Sequence, residues 1–278
     1  MKFGANVISI IPQMREDFKG TVDALKIAGC TFLEPTGDWG ASDELLNICE
    51  MQAGKSGWDT QNMENRLNYL KSVGMTIPGM FVFDQILEKQ ADQMGKYFQK
   101  NGIYYAVVNV PGFSDLNAVY DHIDCLKRVA AKLRPYGVQL VKHNHEYELT
   151  KVTDRDGKEK YILDIFMEQC TPEELMLEID TGWLMYMGID PAEFIRERIE
   201  RIKCIHLKDI CADYQSKERE NISVACGEGI VDFGNIFDKI PKEKKDQILF
   251  MLDQDSSQGD IMYDLVASLQ YLQKFVNG

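Results

Sequence analysis

The chain has 278 residues, of which 45% are hydrophobic and 27% charged, a composition that excludes a disordered chain, a collagen and a coiled coil. Lys and Arg total 31 against 44 Asp and Glu, which gives a net charge of -13. Because a negative surface field repels phosphate backbones and anionic membrane faces, we expect neither nucleic acid nor a membrane as a partner.

Short apolar runs rich in β-branched residues alternate with longer amphipathic stretches along the whole chain. The short runs are predicted as strands, at residues 3–11, 30–34, 76–83, 104–110, 138–143, 175–179, 202–207 and 248–252. The amphipathic stretches are predicted as helices, at residues 17–28, 60–73, 86–100, 117–134, 163–168, 191–198, 233–240 and 261–275, with a shorter helix near 43–51.

Strands that alternate with helices indicate parallel pairing with the helices outside. Eight such units predict an α/β fold of the (β/α)8 TIM barrel type, as a single domain over residues 1–278. An open doubly wound sheet is the alternative, but no glycine-rich G-x-G-x-x-G loop follows the first strand. We also expect an insertion near residues 150–161 and a long loop over residues 209–231.

The seven cysteines are an odd number with no C-x-x-C pair, which is typical of reduced thiols. The apolar start of the chain is short and lacks a small-residue cleavage site, so we interpret it as a strand and not as a signal peptide. No apolar window approaches the roughly 20 residues that span a bilayer. These features predict a cytoplasmic protein.

In a barrel of this type, reactive groups lie at the carboxyl ends of the strands and in the loops that follow. Polar side chains stand at several predicted strand ends: Glu34, Asn109, His143, His145, Glu148, Asp180, His206, Lys208, Asp253 and Asp255.

Each of these residues also has an ordinary structural explanation. Asp180 precedes a predicted turn, where it would serve as a helix N-cap. His206 lies in an apolar strand, where a histidine is more often a hydrogen-bonded core residue, and Asp253 is a possible loop cap. What favours a site is that acids and a histidine end four consecutive strands and converge on one mouth. Oxygen and imidazole ligands of this kind suit a divalent Mn, Mg, Co or Zn ion.

The segment 142–148 concentrates polar residues most strongly. His143 and His145 alternate toward one face of the strand, and Glu148 follows three residues later. A polar surface loop is the ordinary alternative. His122, in contrast, lies on a predicted amphipathic helix, and we expect it to be solvated. Gly227-Glu228-Gly229 is predicted to be either a phosphate cradle or a flexible loop.

Together with the predicted barrel, five motifs resemble the xylose isomerase-like sugar phosphate isomerase/epimerase superfamily. They are His-Asn-His-x-x-Glu at 143–148, Glu-Ile-Asp-Thr-Gly-Trp at 178–183, His-Leu-Lys-Asp at 206–209, Gly-Glu-Gly-Ile-Val-Asp-Phe at 227–233 and Asp-Gln-Asp at 253–255. Similar proteins include metal-dependent isomerases, 3-epimerases, inosose dehydratases and the barrel subunit of C-glycoside deglycosidases. The abasic-site endonucleases of the superfamily need more histidines than the four present here.

The resemblance implies that Asp180, His206 and Asp253 bind a divalent metal, with Mn as the expected ion. The strand-five ligand of the superfamily is usually Glu. His143 stands at that position, so either His143 binds the ion or Glu148 replaces the missing carboxylate, and we favour Glu148. Asp in place of Glu at 253, and Trp183 where ketose epimerases often carry His, are departures from the pattern of the ketose epimerases.

The implied reaction is proton abstraction next to the carbonyl of a sugar or keto sugar, through an enediolate. His145 is the expected base because imidazole titrates near neutrality. His143 and Lys208 complete the predicted catalytic set, although Lys208 has an alternative in a salt bridge with Asp209 or Asp180. Glu34, Asn109 and Trp183 are the predicted substrate contacts. A lyase is the alternative to an isomerase or epimerase, and a homo-oligomer or a partner subunit that completes the pocket is also consistent with the sequence.

Overall fold

The computed structural model describes residues 1–37, 58, 62–108 and 112–276, without the side chains of 84 and 85. Eight parallel strands form one sheet with the spatial order β2-β1-β8-β7-β6-β5-β4-β3. The strands are β1 (Phe3–Asn6), β2 (Cys30–Glu34), β3 (Gly79–Phe81), β4 (Tyr105–Val108), β5 (Gln139–His143), β6 (Met176–Asp180), β7 (Ile202–Leu207) and β8 (Leu249–Leu252). Parallel bridges from Phe32 to Thr76 and from Thr36 to Phe81 join β2 to the region of β3. The predicted (β/α)8 TIM barrel is therefore confirmed.

Helices surround this sheet. The α-helices of the described residues are Ile11–Glu16, Phe18–Ile27, Met63–Ser72, Asp84–Asn101, Leu116–Leu133, Ile162–Gln169, Thr181–Tyr186, Pro191–Arg198, Phe233–Lys239, Lys242–Lys245 and Ile261–Leu272. Short 3-10 turns occupy Ile8–Ile10, Arg134–Tyr136, Ile199–Arg201, Tyr214–Ser216, Arg219–Asn221 and Gln273–Phe275. The predicted helix near 43–51 lies outside the described residues.

The helix Leu116–Leu133 shows why the apolar pattern predicted these elements well. Val119, Ile123, Leu126 and Val129 are each about 1% exposed and pack toward the sheet. The Asp115 side chain accepts a hydrogen bond from the Ala118 N–H and so caps the first turn. Truncation of one such buried Leu or Ile to Ala typically costs about 2–5 kcal/mol.

The first predicted strand is too long. β1 ends at Asn6, and the chain continues through a 3-10 turn into the helix Ile11–Glu16, with Pro12 in its first turn. Asn6 Oδ1 accepts a hydrogen bond from the Ile8 N–H at 2.9 Å, which bends the chain away from the sheet. The apolar residues that extended the prediction form the 3-10 turn and the first residue of this helix, and they do not belong to a strand.

Two antiparallel excursions lie outside the barrel sheet. The predicted insertion is a hairpin of Lys151–Thr153 and Glu159–Tyr161. In the long loop after β7, Asp209–Ile210 pairs with Ser223–Val224. No helix in the described part of the chain combines the length and apolarity that crossing a membrane requires.

Candidate active site

The ends of β5 to β8 bring the predicted polar residues to one mouth of the barrel. Asp180 on β6 and His206 on β7 are register partners, and His206 pairs in turn with Met251 on β8. Side chains two residues apart on a strand point to the same face, so Lys208 follows His206 toward the mouth. Asp253 comes directly after β8. The structure therefore brings together residues that are more than a hundred positions apart in the sequence.

Four of these residues, His143, Asp180, His206 and Asp253, form what we call the mouth cluster. His143 Nε2 lies 4.0 Å from Asp180 Oδ2, and His206 Nδ1 lies 3.2 Å from Asp253 Oδ2. One ligand atom each from His143, Asp180 and His206 lies within 4.8 Å of the others. All four side chains are buried, so their charges interact in a medium of low dielectric constant.

Asp180 is both a helix cap and a member of the cluster. Its Oδ1 accepts hydrogen bonds from the N–H groups of Gly182 and Trp183, at 2.8 and 3.1 Å, at the start of the helix Thr181–Tyr186. Its Oδ2 is buried and, within the part of the chain that the structure describes, contacts the Lys208 ammonium at 3.3 Å without a hydrogen bond of good geometry. Burial raises the pKa of Asp180 to about 6, and the charge of Lys208 opposes that rise.

Lys208 places an ammonium group among three acids. Its Nζ lies 3.3 Å from Asp180 Oδ2, 2.9 Å from Asp253 Oδ2 and 2.7 Å from Asp255 Oδ2. Burial alone would lower the pKa of Lys208, but the three carboxylates outweigh it and hold the pKa well above its usual value. Burial would likewise raise the pKa of Asp253, but Lys208 and His206 hold it well below its usual range.

A second group of polar residues lies one layer deeper, and it includes Glu178, which stands in the motif at 178–183 but was not predicted as a site residue. Glu178 Oε1 lies 2.9 Å from His143 Nδ1 and 3.1 Å from His206 Nε2. Burial, followed by the charge of Glu34, raises the pKa of Glu178 to about 8. The available sequence signal was the spacing, because Glu178 precedes Asp180 by two residues and therefore shares its face of β6.

Glu34 supports His206 from below the mouth. Glu34 Oε2 lies 2.8 Å from His206 Nε2, and its Oε1 accepts a hydrogen bond from the Tyr105 hydroxyl at 2.6 Å. The Asn6 side-chain amide donates to the same carboxylate. Burial would lower the pKa of His206, but the carboxylates of Glu178, Asp253 and Glu34 raise it well above 6.5. Glu34 is fully buried, with its carboxylate in contact with these protein groups, while its role as a substrate contact stays a prediction.

The two histidines that end β5 are held in the neutral form. Burial lowers the pKa of His143 and of His145 well below 6.5, and nearby cationic groups add to the effect. The His145 ring packs edge-on against His143 and Trp183, with centroid separations of 4.8 and 5.5 Å. A neutral imidazole has a free nitrogen that can accept a proton.

Glu148 lies apart from the mouth cluster. Its Oε1 forms a 2.7 Å ion pair with Lys142 Nζ, and its Oε2 accepts the His145 N–H at 2.9 Å. Lys142 also donates to the His143 carbonyl and packs near the Phe166 ring. Both side chains of this ion pair are fully buried. Of the two candidates for the strand-five ligand, the structure therefore groups His143, and not Glu148, with Asp180 and His206.

Trp183 forms one wall of the mouth. It is 2% exposed, and its indole N–H is buried without a hydrogen-bond acceptor among the described residues. Lys208 Nζ lies 5.0 Å from the centre of the Trp183 ring, and the Arg219 guanidinium lies 4.1 Å from it. Arg219 is held in turn by a two-pronged ion pair with Glu146. Asn109, the other predicted substrate contact, lies outside the described residues.

Two further predictions are corrected here. His122 is not solvated: its ring packs against Phe113 and Phe166, and burial lowers its pKa to about 3. The N–H groups of Gly227 and Gly229 do not form an open phosphate cradle, because both donate to Asp209 Oδ2, at 2.9 and 3.0 Å.

The donor set of the mouth cluster fits a divalent cation. Among the described residues, Asp180 Oδ2 and His206 Nδ1 are buried atoms without a hydrogen bond of good geometry, although Lys208 Nζ lies 3.3 Å from the first and Asp253 Oδ2 3.2 Å from the second. Imidazole with carboxylate is a common ligand set for Zn and Mn. Glu178 contacts both histidines from behind, as carboxylates do around metal-binding imidazoles. For an ion to reach these atoms, the ammonium group of Lys208 has to move away from Asp180 and Asp253.

Several solved structures share the barrel fold of this chain over nearly its whole length. A sugar phosphate isomerase/epimerase from Parabacteroides distasonis has a TM-score of 0.75 at 18% identity, covering 99% of this chain and 94% of that one. A xylose isomerase-like TIM barrel protein from Mycobacterium smegmatis, in complex with magnesium, has a TM-score of 0.66 at 13% identity, covering 98% and 95%. The fold is that of the xylose isomerase-like TIM barrels. The IOLI protein with a zinc atom shares it, with a TM-score of 0.68 at 12% identity and coverage of 99% and 96%.

Sequence comparison adds relatives with a named activity, and the predicted resemblance is confirmed. An inosose dehydratase from Geobacillus thermodenitrificans is 27% identical over 129 residues, 42% of this chain and 41% of the relative. Another, from Clostridium botulinum, is 30% identical over 152 residues, 50% of this chain and 48% of the relative. The chain thus spans about half the length of the curated relatives that it matches. No protein-family model matches it.

Proposed function

We propose that this chain is an enzyme that removes a proton from the carbon next to the carbonyl of a sugar or keto sugar, with a divalent cation held at the mouth cluster. The observation that carries the proposal is that His143, Asp180 and His206 each place a buried ligand atom within 4.8 Å of the others at the carboxyl end of the barrel, with Asp253 Oδ2 lying 3.2 Å from His206 Nδ1. Two barrels of the same fold were solved with zinc and with magnesium, which supports a bound divalent cation in this chain.

The cation would be held by His143 Nε2, Asp180 Oδ2, His206 Nδ1 and Asp253 Oδ2. When bound, a divalent ion stabilises the negative charge that develops on the substrate oxygens. Mn²⁺ and Zn²⁺ both accept this mixture of nitrogen and oxygen donors, and Mn²⁺ is the ion that we expect. Glu178 and Glu34 hold the two imidazoles from below, which fixes the ring nitrogens that face the mouth.

The proton is accepted by His145. Burial lowers its pKa well below 6.5, so the ring is neutral at pH 7 and one nitrogen is free to take a proton. The lowered pKa makes His145 a weaker base than the freely titrating imidazole expected from the sequence, so its contribution depends on its position at the mouth. The ammonium of Lys208, released from the acids, binds an oxygen of the enediolate, and Trp183 closes the pocket against water. A positioned base of this type contributes roughly 10²- to 10⁴-fold to the rate.

The activity named for the curated relatives supports dehydration as a second outcome of this proton transfer. Inosose dehydratases are lyases, and loss of water follows when the carbon beside the carbanion carries a hydroxyl group. Return of the proton to the same or the neighbouring carbon gives an epimer or an isomer. We therefore propose dehydration of a keto sugar or keto cyclitol as the second candidate beside isomerisation or epimerisation.

Solvent hydrogen exchange tests the common step. The purified chain is loaded with Mn²⁺ and incubated with candidate keto sugars and keto cyclitols in D₂O, and deuterium at the carbon next to the carbonyl is measured by NMR. We expect exchange by the wild type, loss of exchange but not of metal in His145→Gln, and loss of both in Asp180→Asn. His122→Gln is the matched control, because His122 is a half-buried histidine on the helix Leu116–Leu133 and is not a member of the mouth cluster.

The same samples distinguish the candidates. An ultraviolet-absorbing unsaturated product indicates dehydration, and a new ketose or aldose indicates isomerisation. Exchange that requires added partner protein supports a barrel subunit whose pocket is completed by another chain. Full exchange by metal-free protein, or by His145→Gln, contradicts the proposed mechanism.

A further inference from the structure

The barrel interior holds a second set of donor atoms below the mouth cluster, which we call the inner cluster: Glu34, Glu178 and Cys204, with the Nε2 atom of His206. Glu178 and Cys204 are register partners on β6 and β7. Each precedes a member of the mouth cluster by two residues, so each faces the barrel axis one layer deeper. One ligand atom from each of the four residues lies within 4.8 Å of the others, and all four are buried.

The charges in this layer are not balanced by lysine. Two carboxyl groups side by side in a barrel interior either share a proton or require a nearby positive charge. Burial and the charge of Glu34 raise the pKa of Glu178 to about 8, so without a bound cation Glu178 holds a proton at pH 7. The two buried ammonium groups close to this layer contact acids elsewhere, Lys142 with Glu148 and Lys208 with the acids of the mouth. The imidazole of His206 therefore serves both carboxylates through Nε2, at 2.8 and 3.1 Å, while its Nδ1 faces Asp253.

Glu178 also has an oxygen without a hydrogen bond of good geometry. Its Oε1 meets both imidazoles, but its Oε2 is buried and has no hydrogen bond of good geometry within the described residues, although the Cys204 thiol and the Glu34 carboxyl group lie beside Glu178. An acceptor left unsatisfied in this way loses the hydrogen bonds that it would have in water. The thiol of Cys204 lies in the same layer and is fully buried. In the simpler interpretation, this thiol only fills space against Phe32 and Met251.

We propose that the inner cluster is a second cation site, which binds a thiophilic divalent ion such as Zn²⁺ or Co²⁺ through Glu34, Glu178, Cys204 and His206 Nε2. Two oxygens, one nitrogen and one sulfur are donors that tetrahedral zinc accepts at about 2.0–2.3 Å. Ion binding displaces the Cys204 thiol proton, the Glu178 proton and the proton at Nε2 into solvent. Tyr105 and Asn6 already orient the Glu34 carboxylate.

Cobalt spectroscopy on the full chain tests this site. Co²⁺ bound through a thiolate has a sulfur-to-metal charge-transfer band in the near ultraviolet, whereas a site of nitrogen and oxygen alone does not. We expect the band to appear as Co²⁺ is titrated into the wild type and to be lost in Cys204→Ala. Cys226→Ala removes another buried thiol and is the matched control that keeps the band. Absence of the band at saturating Co²⁺, or its persistence in Cys204→Ala, overturns the proposal.

A measurement without substitutions guards against a misfolded variant. X-ray absorption of the zinc-loaded wild type is expected to show a sulfur atom in the ligand shell, and a shell of only nitrogen and oxygen contradicts the site.

The cobalt experiment can also fail independently of the proposed function. Asp180→Asn removes a ligand of the mouth cluster alone, so it is expected to abolish solvent exchange while the cobalt–sulfur band remains. Loss of the band in that variant means that the two clusters are one site, which overturns the proposal.

Discussion

Glu148 and His143 lie five residues apart in the sequence, but they make different contacts. Glu148 is one half of a fully buried ion pair with Lys142, and it also accepts the His145 N–H. His143 faces Asp180 with Nε2 and Glu178 with Nδ1. The first residue therefore supports the polypeptide behind β5, and the second supports the mouth.

This division predicts opposite effects of two substitutions. Glu148→Gln leaves the Lys142 ammonium buried without a counter-charge, so we expect the free energy of unfolding to fall by about 3–5 kcal/mol, with little change in metal affinity. Loss of a group that only supports a metal ligand typically lowers metal affinity about 10- to 100-fold. His143→Leu removes a proposed ligand itself, so we expect at least that loss of affinity. Urea denaturation and metal titration of both variants measure these effects. If Glu148→Gln loses the metal while remaining folded, Glu148 is a ligand after all.

His122, which lies outside the mouth cluster, is expected to make the free energy of unfolding depend on pH. Burial, followed by the charge of Lys142, lowers its pKa from 6.5 to about 3. Below pH 6.5 the unfolded chain binds a proton that the folded chain does not, so this residue makes stability fall as the pH drops from 6.5 toward 3. Each unit of pKa difference corresponds to about 1.4 kcal/mol. We expect His122→Leu to have a shallower loss of stability over this range in urea denaturation. Parallel pH profiles for the two proteins would contradict this role.

At the scale of elements, Asp209 organises the long loop that follows β7. Its carboxylate accepts the N–H groups of Ile210, Gly227, Gly229 and Val231. A Cβ at Gly229 would lie 2.2 Å from Asp209 Oδ1, so only glycine fits there. The Gly-Glu-Gly motif therefore supplies the backbone N–H groups that bind the Asp of His-Leu-Lys-Asp, and the two motifs hold the two ends of the loop together.

Asp209→Asn keeps the shape of the side chain and removes its charge. We expect it to lower the free energy of unfolding by about 1–3 kcal/mol, because buried backbone donors lose a charged acceptor. Proteolysis within residues 211–228 should become faster than in the wild type, and mass spectrometry of the fragments identifies the cut. Asp213→Asn, an exposed acid in the same loop, is the control. Equal cleavage rates in the two variants would show that Asp209 does not organise the loop.

The elements themselves were largely predictable because their apolar periodicity is strong. β2, β7 and the helix Pro191–Arg198 have the predicted bounds, and Asp190 caps the first turn of that helix. The prediction failed where one apolar run served two elements, since a run of hydrophobic residues does not show that Asn6 turns the chain from a strand into a helix. Tertiary contacts between buried polar groups were likewise invisible, as the pairing of Lys142 with Glu148 shows.

For the whole molecule, the barrel accounts for what the motifs could and could not reveal. The rule that strand ends share one mouth was enough to bring Asp180, His206 and Asp253 together. It could not show that Glu148 pairs with Lys142 behind β5 and does not face the mouth. Nor could it show that Glu178 and Glu34 meet across the barrel interior. Those contacts depend on the diameter of the closed sheet, which no local pattern in the sequence contains.

The same closure predicts that a cation stabilises the entire fold. The proposed ligands lie on β5, β6 and β7 and at the residue after β8, so an ion at the mouth cluster would link four strands that are far apart in the sequence. A ligand that binds only the folded chain adds about 2.7 kcal/mol at a concentration 100 times its Kd. We therefore expect the Tm to rise with added Mn²⁺ or Zn²⁺ and to fall again with a chelator. In Asp180→Asn the rise should be lost at the same ion concentration, while His122→Gln should keep it. If the Asp180→Asn protein gains as much stability as the wild type, the ion binds elsewhere, and the mouth cluster is held by Lys208 alone.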